Sequence, residues 1–240
     1  MWYVAEFQPT TLFSLRPANA TTSGGKTLIT PTPFAVKMAL LDVALRIHGH
    51  EAGEAWFPRL RDLKVAIRLP EQVMVINTFV KILRPHKNGP KDTFGTGLVG
   101  PMGNTIAYRE LVHFGGSLSI AVEDIGEKGL QPPLEQLFCQ IHYLGKRGSF
   151  MQFKGCEQRE TLDGGFTLLN PEANKEFTIS GMLQLLDDCG PKMSFSHADV
   201  YSDKTLSVGK ENGRLLKPVV LPYKPVRSSK AFTLYQYQVY

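Results

Sequence analysis

The sequence lacks the features that would give its function away. Only three cysteines occur in 240 residues: Cys139, Cys156 and Cys189. An odd, sparse set excludes a disulfide framework and fits a reducing compartment. No apolar stretch reaches the roughly 18 residues that a membrane span needs. The start, Met1 to Phe7, has no basic segment and places Glu6 inside its apolar run, so it does not read as a signal peptide. These absences make a cytoplasmic protein the expectation. There is no internal repeat. There is also no strong charge of one sign: 27 basic against 22 acidic residues leave a formal net charge of +5. That mild excess is compatible with a polyanionic partner without requiring one.

The usual catalytic signatures are missing as well. Ala20 to Thr27 approaches a phosphate-binding loop, with Gly25-Lys26-Thr27 at its end. Ala20 stands where the pattern needs glycine. Such a loop must also open a helix, and Pro31 and Pro33 forbid a helix directly after Thr27. Cys139 and His142 have ligand-like spacing, but Cys156, Cys189 and His197 supply no second pair, so no metal site is expected. His48 and His50 flank Gly49 at a helix end, where the dipole accounts for them. Asp187 and Asp188 are adjacent and are expected on a solvated surface. No cofactor is expected.

What the chain does have is strand-rich. It is 42% hydrophobic and 20% charged, with 16 prolines and 22 glycines, so an ordinary core with many turns is expected. Trp2 to Phe7 reads as a first strand. Residues 15–33 read as a loop. Phe34 to Arg46 reads as a helix, with Phe34, Met38, Leu41 and Leu45 at helical spacing. A second short helix covers Ala52 to Leu63. Val65 to Leu69 and Val73 to Leu83 read as two strands. Residues 84–104 are basic, rich in proline and glycine, and read as a long inserted loop or thumb. Ser117 to Glu123 reads as a strand and Pro132 to Leu144 as a helix. Phe150 to Phe153, Phe166 to Leu169 and Met193 to Tyr201 read as short strands. Lys217 to Tyr240 is a basic, aromatic tail with a strand-like end over Phe232 to Val239. The order of elements implies α+β, one domain over residues 1–240.

Two segments carry chemistry. In the first, Gly24-Gly25-Lys26-Thr27 runs through Thr30-Pro31-Thr32-Pro33 into the helix at Phe34. Free N–H groups at that helix start, with Thr30 and Thr32, suit a phosphate, and they equally suit a capped, proline-ordered turn. In the second, Tyr108-Arg109-Glu110 sits within Thr105 to Val112. An aromatic beside an arginine is a unit that holds an unstacked base and its phosphate. The same arginine is equally suited to an internal ion pair with Glu110.

Taken in order, these segments resemble the Cas-five family of CRISPR RAMP proteins. The family has a proline-rich element before its first helix, matched by Thr30-Pro31-Thr32-Pro33. It has an arginine–glutamate element before a later strand, matched by Arg109-Glu110-Leu111-Val112. Its mid-chain basic stretch is matched by Ile141 to Phe150, with Lys146 and Arg147. The similarity spans roughly residues 1–150, and its flavour is that of the type I-A and I-B branches. The resemblance implies a ferredoxin-like, RRM-type RAMP domain with an inserted thumb and a β-rich C-terminal part. It implies a non-catalytic Cascade subunit that binds the 5′ handle of crRNA and caps the backbone of the interference complex, supporting target DNA recognition. The implied partners are crRNA, Cas-seven backbone subunits, a large Cas-eight-like subunit and, through the complex, target DNA. Carried over by position, Thr30, Thr32, Lys37, Arg109, Lys146 and Arg147 are RNA-contact candidates. Lys26 and Tyr108 join them from the two segments above. Arg84 and Lys87 are added because a basic thumb suits a phosphate path. The alternative is a metal-independent endoribonuclease that processes precursor crRNA, as in the I-C branch. Tyr108, Arg109 and His113 are the residues available for that role, and no matched acid–base set is present.

Overall fold

The computed structural model describes residues 1–20, 25–87, 89–92, 95, 100, 102–125, 130–171 and 180–238. Its elements are mixed helix and sheet, with strands dominant. The first strand, β1 (Trp2–Pro9), leads through a loop to α1 (Pro33–Asp62). Thr32 starts that helix: its hydroxyl accepts the Ala35 N–H at 3.1 Å, and Pro33 follows at the first helical position. Val36, Leu40, Val43 and Ala44 recur at helical spacing and form the buried face. Gly49 breaks the helix with φ of 84°, a left-handed value that glycine adopts without a Cβ clash. The two halves correspond to the two helices read from the sequence.

After α1 come β2 (Lys64–Arg68), β3 (Gln72–Pro85), β4 (Met102–Phe114), β5 (Leu118–Glu123), α2 (Leu134–Cys139), β6 (Met151–Arg159) and β7 (Thr167–Leu168). Five of these strands form one sheet in the order β6-β1-β5-β2-β7. Both β1 and β2 run antiparallel to β5, so they are parallel to each other and α1 crosses between them. The core lies between this sheet and α1 with α2, joining Ala5, Phe7, Ile67, Ile120 and Val122 to Leu40, Val43, Leu137 and Phe138.

The other face of the sheet is partly covered, and Glu6, Arg68 and Ser119 line an open pocket on it. Val4, Ala66 and Ala121 are covered there by Leu162, Phe166 and Leu168. Arg68 stacks on Phe166 at 4.3 Å and pairs with Asp163, whose carboxyl is held low by the Gly165 N–H and by Arg68.

A long hairpin, β3–β4, is inserted between β2 and β5, with pairing maintained from Val73↔Phe114 out to Pro85↔Met102. The loop expected over 84–104 is shorter than the sequence implied: Arg84, Pro85 and residues 102–104 are strand. Asn88, Thr93, Phe94, residues 96–99 and Pro101, all in this segment, lie outside the described residues. Two strands from the C-terminal part, β10 (Tyr223–Ser228) and β11 (Phe232–Tyr237), complete this sheet in the order β10-β11-β3-β4. A separate hairpin, β8 (Met182–Cys189) with β9 (Arg214–Leu221), packs on α1.

Several expectations are corrected. The helix expected over Pro132–Leu144 ends at Cys139, because Tyr143 turns into an antiparallel bridge with Phe150. The strand expected over Met193–Tyr201 is replaced by a short helix, α3 (Phe195–Ala198). There the Ser194 N–H donates to His197 Nδ1 at 3.1 Å, a local bond that outcompetes extended pairing. The tail after Lys217 is mostly β9, β10 and β11, and Val239 lies outside the described residues.

Asp187 and Asp188 are not solvated. Both are buried on β8, where alternation sends them to opposite faces. Asp187 pairs with Arg214 at 3.1 Å and Asp188 with Lys37 at 2.5 Å. Beside them, burial pushes the Cys189 thiol up to about 12, and Cys156 is pushed up to about 11. At pH 8 so little Cys189 is thiolate that alkylation of the folded protein is expected at exposed Cys139, with Cys189 modified only on unfolding. Peptide mapping after a short iodoacetamide pulse checks this, and native labelling of Cys189 contradicts it.

Candidate nucleic-acid interface

The loop from Gly25 to Thr27 is fastened along the edge of β4, and Gly24 lies outside the described residues. Glu110 N–H donates to the Gly25 carbonyl at 2.7 Å, and Val112 and Phe13 exchange both backbone bonds, at 2.7 and 2.8 Å. Gly25 lies so close to Tyr108 that a Cβ there would sit 2.4 Å from the Tyr108 carbonyl oxygen, so any side chain forces the loop away. One buried carboxylate holds the arrangement. Glu110 accepts from Lys26 Nζ at 2.6 Å, from Thr27 N–H at 3.0 Å and from the Tyr108 hydroxyl at 3.2 Å. The carboxylate raises the pKa of Lys26, while burial and then the Glu110 charge raise that of Tyr108. Glu110→Ala is expected to cost about 1–3 kcal/mol, because buried donors lose their acceptor. Urea unfolding measures it.

Between this loop, β4 and the turn at Gly145–Lys146 lies an open cleft of about 380 Å³. Arg16, Lys26, Arg109 and Lys146 all line it. Arg109 Nη1 donates to the Tyr108 carbonyl at 2.7 Å. The Lys146 N–H donates to the Ser14 carbonyl at 3.2 Å, which fixes the turn and leaves the ammonium exposed. Among the described residues, neither Arg109 nor Lys146 has an acidic partner. The cleft is therefore a concentration of positive charge drawn from three separate stretches of chain.

The structure brings together only part of the expected set. Lys26, Arg109 and Lys146 converge. Arg147 is exposed on the same turn, outside the cleft lining. Arg84 and Lys87 are exposed toward the hairpin end. Three candidates are corrected. Lys37 is 1% exposed, with its ammonium on Asp188 and on the Arg61 carbonyl at 2.7 Å. Thr32 spends its hydroxyl capping α1. Thr30 is fully buried and its hydroxyl bonds the Pro31 carbonyl at 3.1 Å. None of these three presents a donor at the surface.

The Tyr108–Arg109 unit is also divided. Neighbours on a strand point to opposite faces, so Tyr108 lies with Asn77 and Phe79 while Arg109 lies opposite. The same alternation places His113 with Arg109 and away from Tyr108, so β4 does not gather those three groups on one face. Nor does Arg109 pair with Glu110, whose cation is Lys26. Arg16 was missed. Leu15-Arg16-Pro17 carries no local pattern beyond a lone cation in the loop; tertiary bonds place it at the cleft, with the Leu28 N–H donating to the Leu15 carbonyl at 2.8 Å, the Leu15 N–H to Thr27 Oγ1 at 2.9 Å and the Lys146 N–H to the Ser14 carbonyl at 3.2 Å.

Among the described residues no helix is long and apolar enough to cross a membrane. No family model matches the chain. A curated relative, CRISPR-associated protein Cas5 of Archaeoglobus fulgidus, is 28% identical over 182 residues, covering 73% of this chain and 74% of the relative. Among solved structures, a CRISPR protein from Archaeoglobus fulgidus aligns at a TM-score of 0.47 with 12% identity, covering 99% of this chain and 92% of its own. A chain of a CRISPR RNA-guided surveillance complex aligns at 0.48 with 13% identity, covering 92% of this chain and 90% of its own. The chain is thus similar in sequence to a CRISPR-associated protein Cas5 over about three quarters of its length.

Proposed function

We propose that the protein is a non-catalytic, RNA-binding subunit of a Cascade-type CRISPR interference complex, holding the 5′ handle of crRNA at the backbone's end. The observation that carries this reading is the convergence of Arg16, Lys26, Arg109 and Lys146 on one cleft. Phosphates supply most of the affinity of such a surface, and single-stranded RNA fits an open, groove-like shape. The similarity to a curated Cas5 protein supports the family context. The strand order β6-β1-β5-β2, with α1 and α2 as the two crossover helices, supports a ferredoxin-like domain into which the β3–β4 hairpin is inserted as a thumb.

The fold also argues where the RNA lies. RRM domains stack bases on the open face of their sheet. Here Leu162, Phe166 and Leu168 cover part of that face, while the cleft at the edge of β4 is where basic side chains from three stretches of chain converge. Backbone and large subunits are the proposed protein partners, and target DNA is reached through the complex. Co-expression with those subunits and a repeat-spacer transcript tests the reading. Arg109→Ala is expected to lower the crRNA retained on purified complex several-fold. Wild-type retention by the variant sinks the assignment.

A further inference from the structure

A second cavity, of about 260 Å³, adjoins the basic cleft and shares Leu15, Arg16 and Gly145 with it. Its chemistry differs from its neighbour's. Met38, Ala39 and Val43 of α1, with Ile141, make the apolar wall, and Phe34 and Tyr143 add aromatic rings. Two of its cations, Arg46 and Arg214, are engaged within the protein. Arg46 Nε donates to Asp42 at 2.9 Å, and Arg214 pairs with Asp187 at 3.1 Å while lying 4.9 Å over the Phe34 ring. A phosphate placed here would meet Asp42 and Asp187, so this is not an anion site. A flat, uncharged, amphipathic group suits it: apolar faces against the α1 wall, polar edge toward the charged rim.

We infer that this cavity receives a single splayed-out nucleobase of the same RNA strand whose phosphates cross the basic cleft. The inference rests on the RNA-binding reading above. Arg16 is the hinge of the arrangement, because it lines both cavities and stands where a strand passes from one to the other. The backbone lies in the basic cleft and one base turns over Arg16 into the pocket, beside Phe34 and Tyr143. A protein side chain as the occupant is the competing outcome. The shared wall favours the base, because the pocket then lies directly beside the proposed phosphate path.

Two fluorescein-labelled probes separate the possibilities by anisotropy: a ten-residue oligoadenylate, and a ten-residue ribose-phosphate oligomer lacking bases. Ala39→Trp fills the pocket with an indole, and Lys146→Ala removes a cation from the adjoining cleft. Ala39→Trp is expected to weaken oligoadenylate binding roughly tenfold, the scale of one stacked base, and to leave the abasic oligomer unchanged. Lys146→Ala is expected to weaken both. Equal loss on both probes with Ala39→Trp, or none on either, overturns the base pocket while leaving the RNA reading intact. Failure of the wild-type protein to bind either probe overturns both. Photocrosslinking of wild-type protein to a 4-thiouridine decamer gives a second measure that needs no variant. Adducts on Phe34 or Tyr143 support the pocket, and adducts confined to β3 and β4 contradict it.

Discussion

Replacing Lys37 by methionine is expected to destabilise the protein by about 3–5 kcal/mol, because it strands a buried carboxylate. The Lys37 and Asp188 side chains are 2% and 4% exposed and lie 2.5 Å apart. Asp188 also accepts the Cys189 N–H at 2.8 Å and the Asn170 amide at 3.2 Å, so the site joins α1, β8 and the segment after β7. Removing the ammonium leaves the carboxylate with neutral donors and with Lys217 at 3.8 Å. For a domain of this size the loss corresponds to a fall in Tm on the order of 10 °C. Adding Asp188→Asn to Lys37→Met is expected to cost less than the sum of the singles, because the second change removes the stranded charge. Thermal and urea unfolding of the four proteins in this cycle give the answer. A loss under about 1 kcal/mol for Lys37→Met contradicts the buried pair. RNA affinity of the folded Lys37→Met protein is expected to match wild type, which separates this residue from the cleft.

The second large effect is expected at the cleft. Arg109→Ala with Lys146→Ala is expected to weaken single-stranded RNA binding at least about a hundredfold at low salt, since each charge-assisted hydrogen bond contributes about 1.5–3 kcal/mol. Affinity alone does not identify phosphate contacts. For single strands each contact contributes about 0.7 to the slope of log affinity against log salt, so the double variant should show a slope smaller by about 1.4. An unchanged slope would falsify phosphate contact by these two residues. The Arg109 side chain bonds the neighbouring Tyr108 carbonyl and Lys146 is held through its backbone N–H, which alanine keeps, so folding stability is expected to shift by less than about 0.5 kcal/mol.

Part of the site was legible in the chain. Lys26, Arg109 and Lys146 were readable because each lies in a short ordered motif, and motifs survive without coordinates. Arg16 was not, because nothing within Leu15-Arg16-Pro17 refers to β4 or to Lys146 in the distant sequence. Lys37, Thr30 and Thr32 were misread for the opposite reason. Their motif is real, but local sequence does not say which side of it faces inward, and β8 supplies the carboxylate that buries Lys37. The strand β4 was missed because its outer half is exposed at Met102, Asn104 and Ile106, so no buried face imposes a hydrophobic period. β8 was missed because buried Asp187 and Asp188 disguise a core strand as a polar surface.

By itself, the sequence determined the strand-rich α+β character, the first strand, the two halves of α1 broken at Gly49, and β2, β3 and β5. These rest on local rules: alternation, helical spacing, proline at a helix start and glycine at a turn. It also carried the family resemblance, through the order of two motifs. Only the tertiary structure decided which cations share a cleft, which are consumed in the core, and that part of the outer face of the main sheet is covered by Leu162 and Phe166. The reason is physical. Burial and charge pairing are set by neighbours in space, and here they join Lys37 to Asp188 and Arg16 to Lys146 across more than a hundred residues of chain.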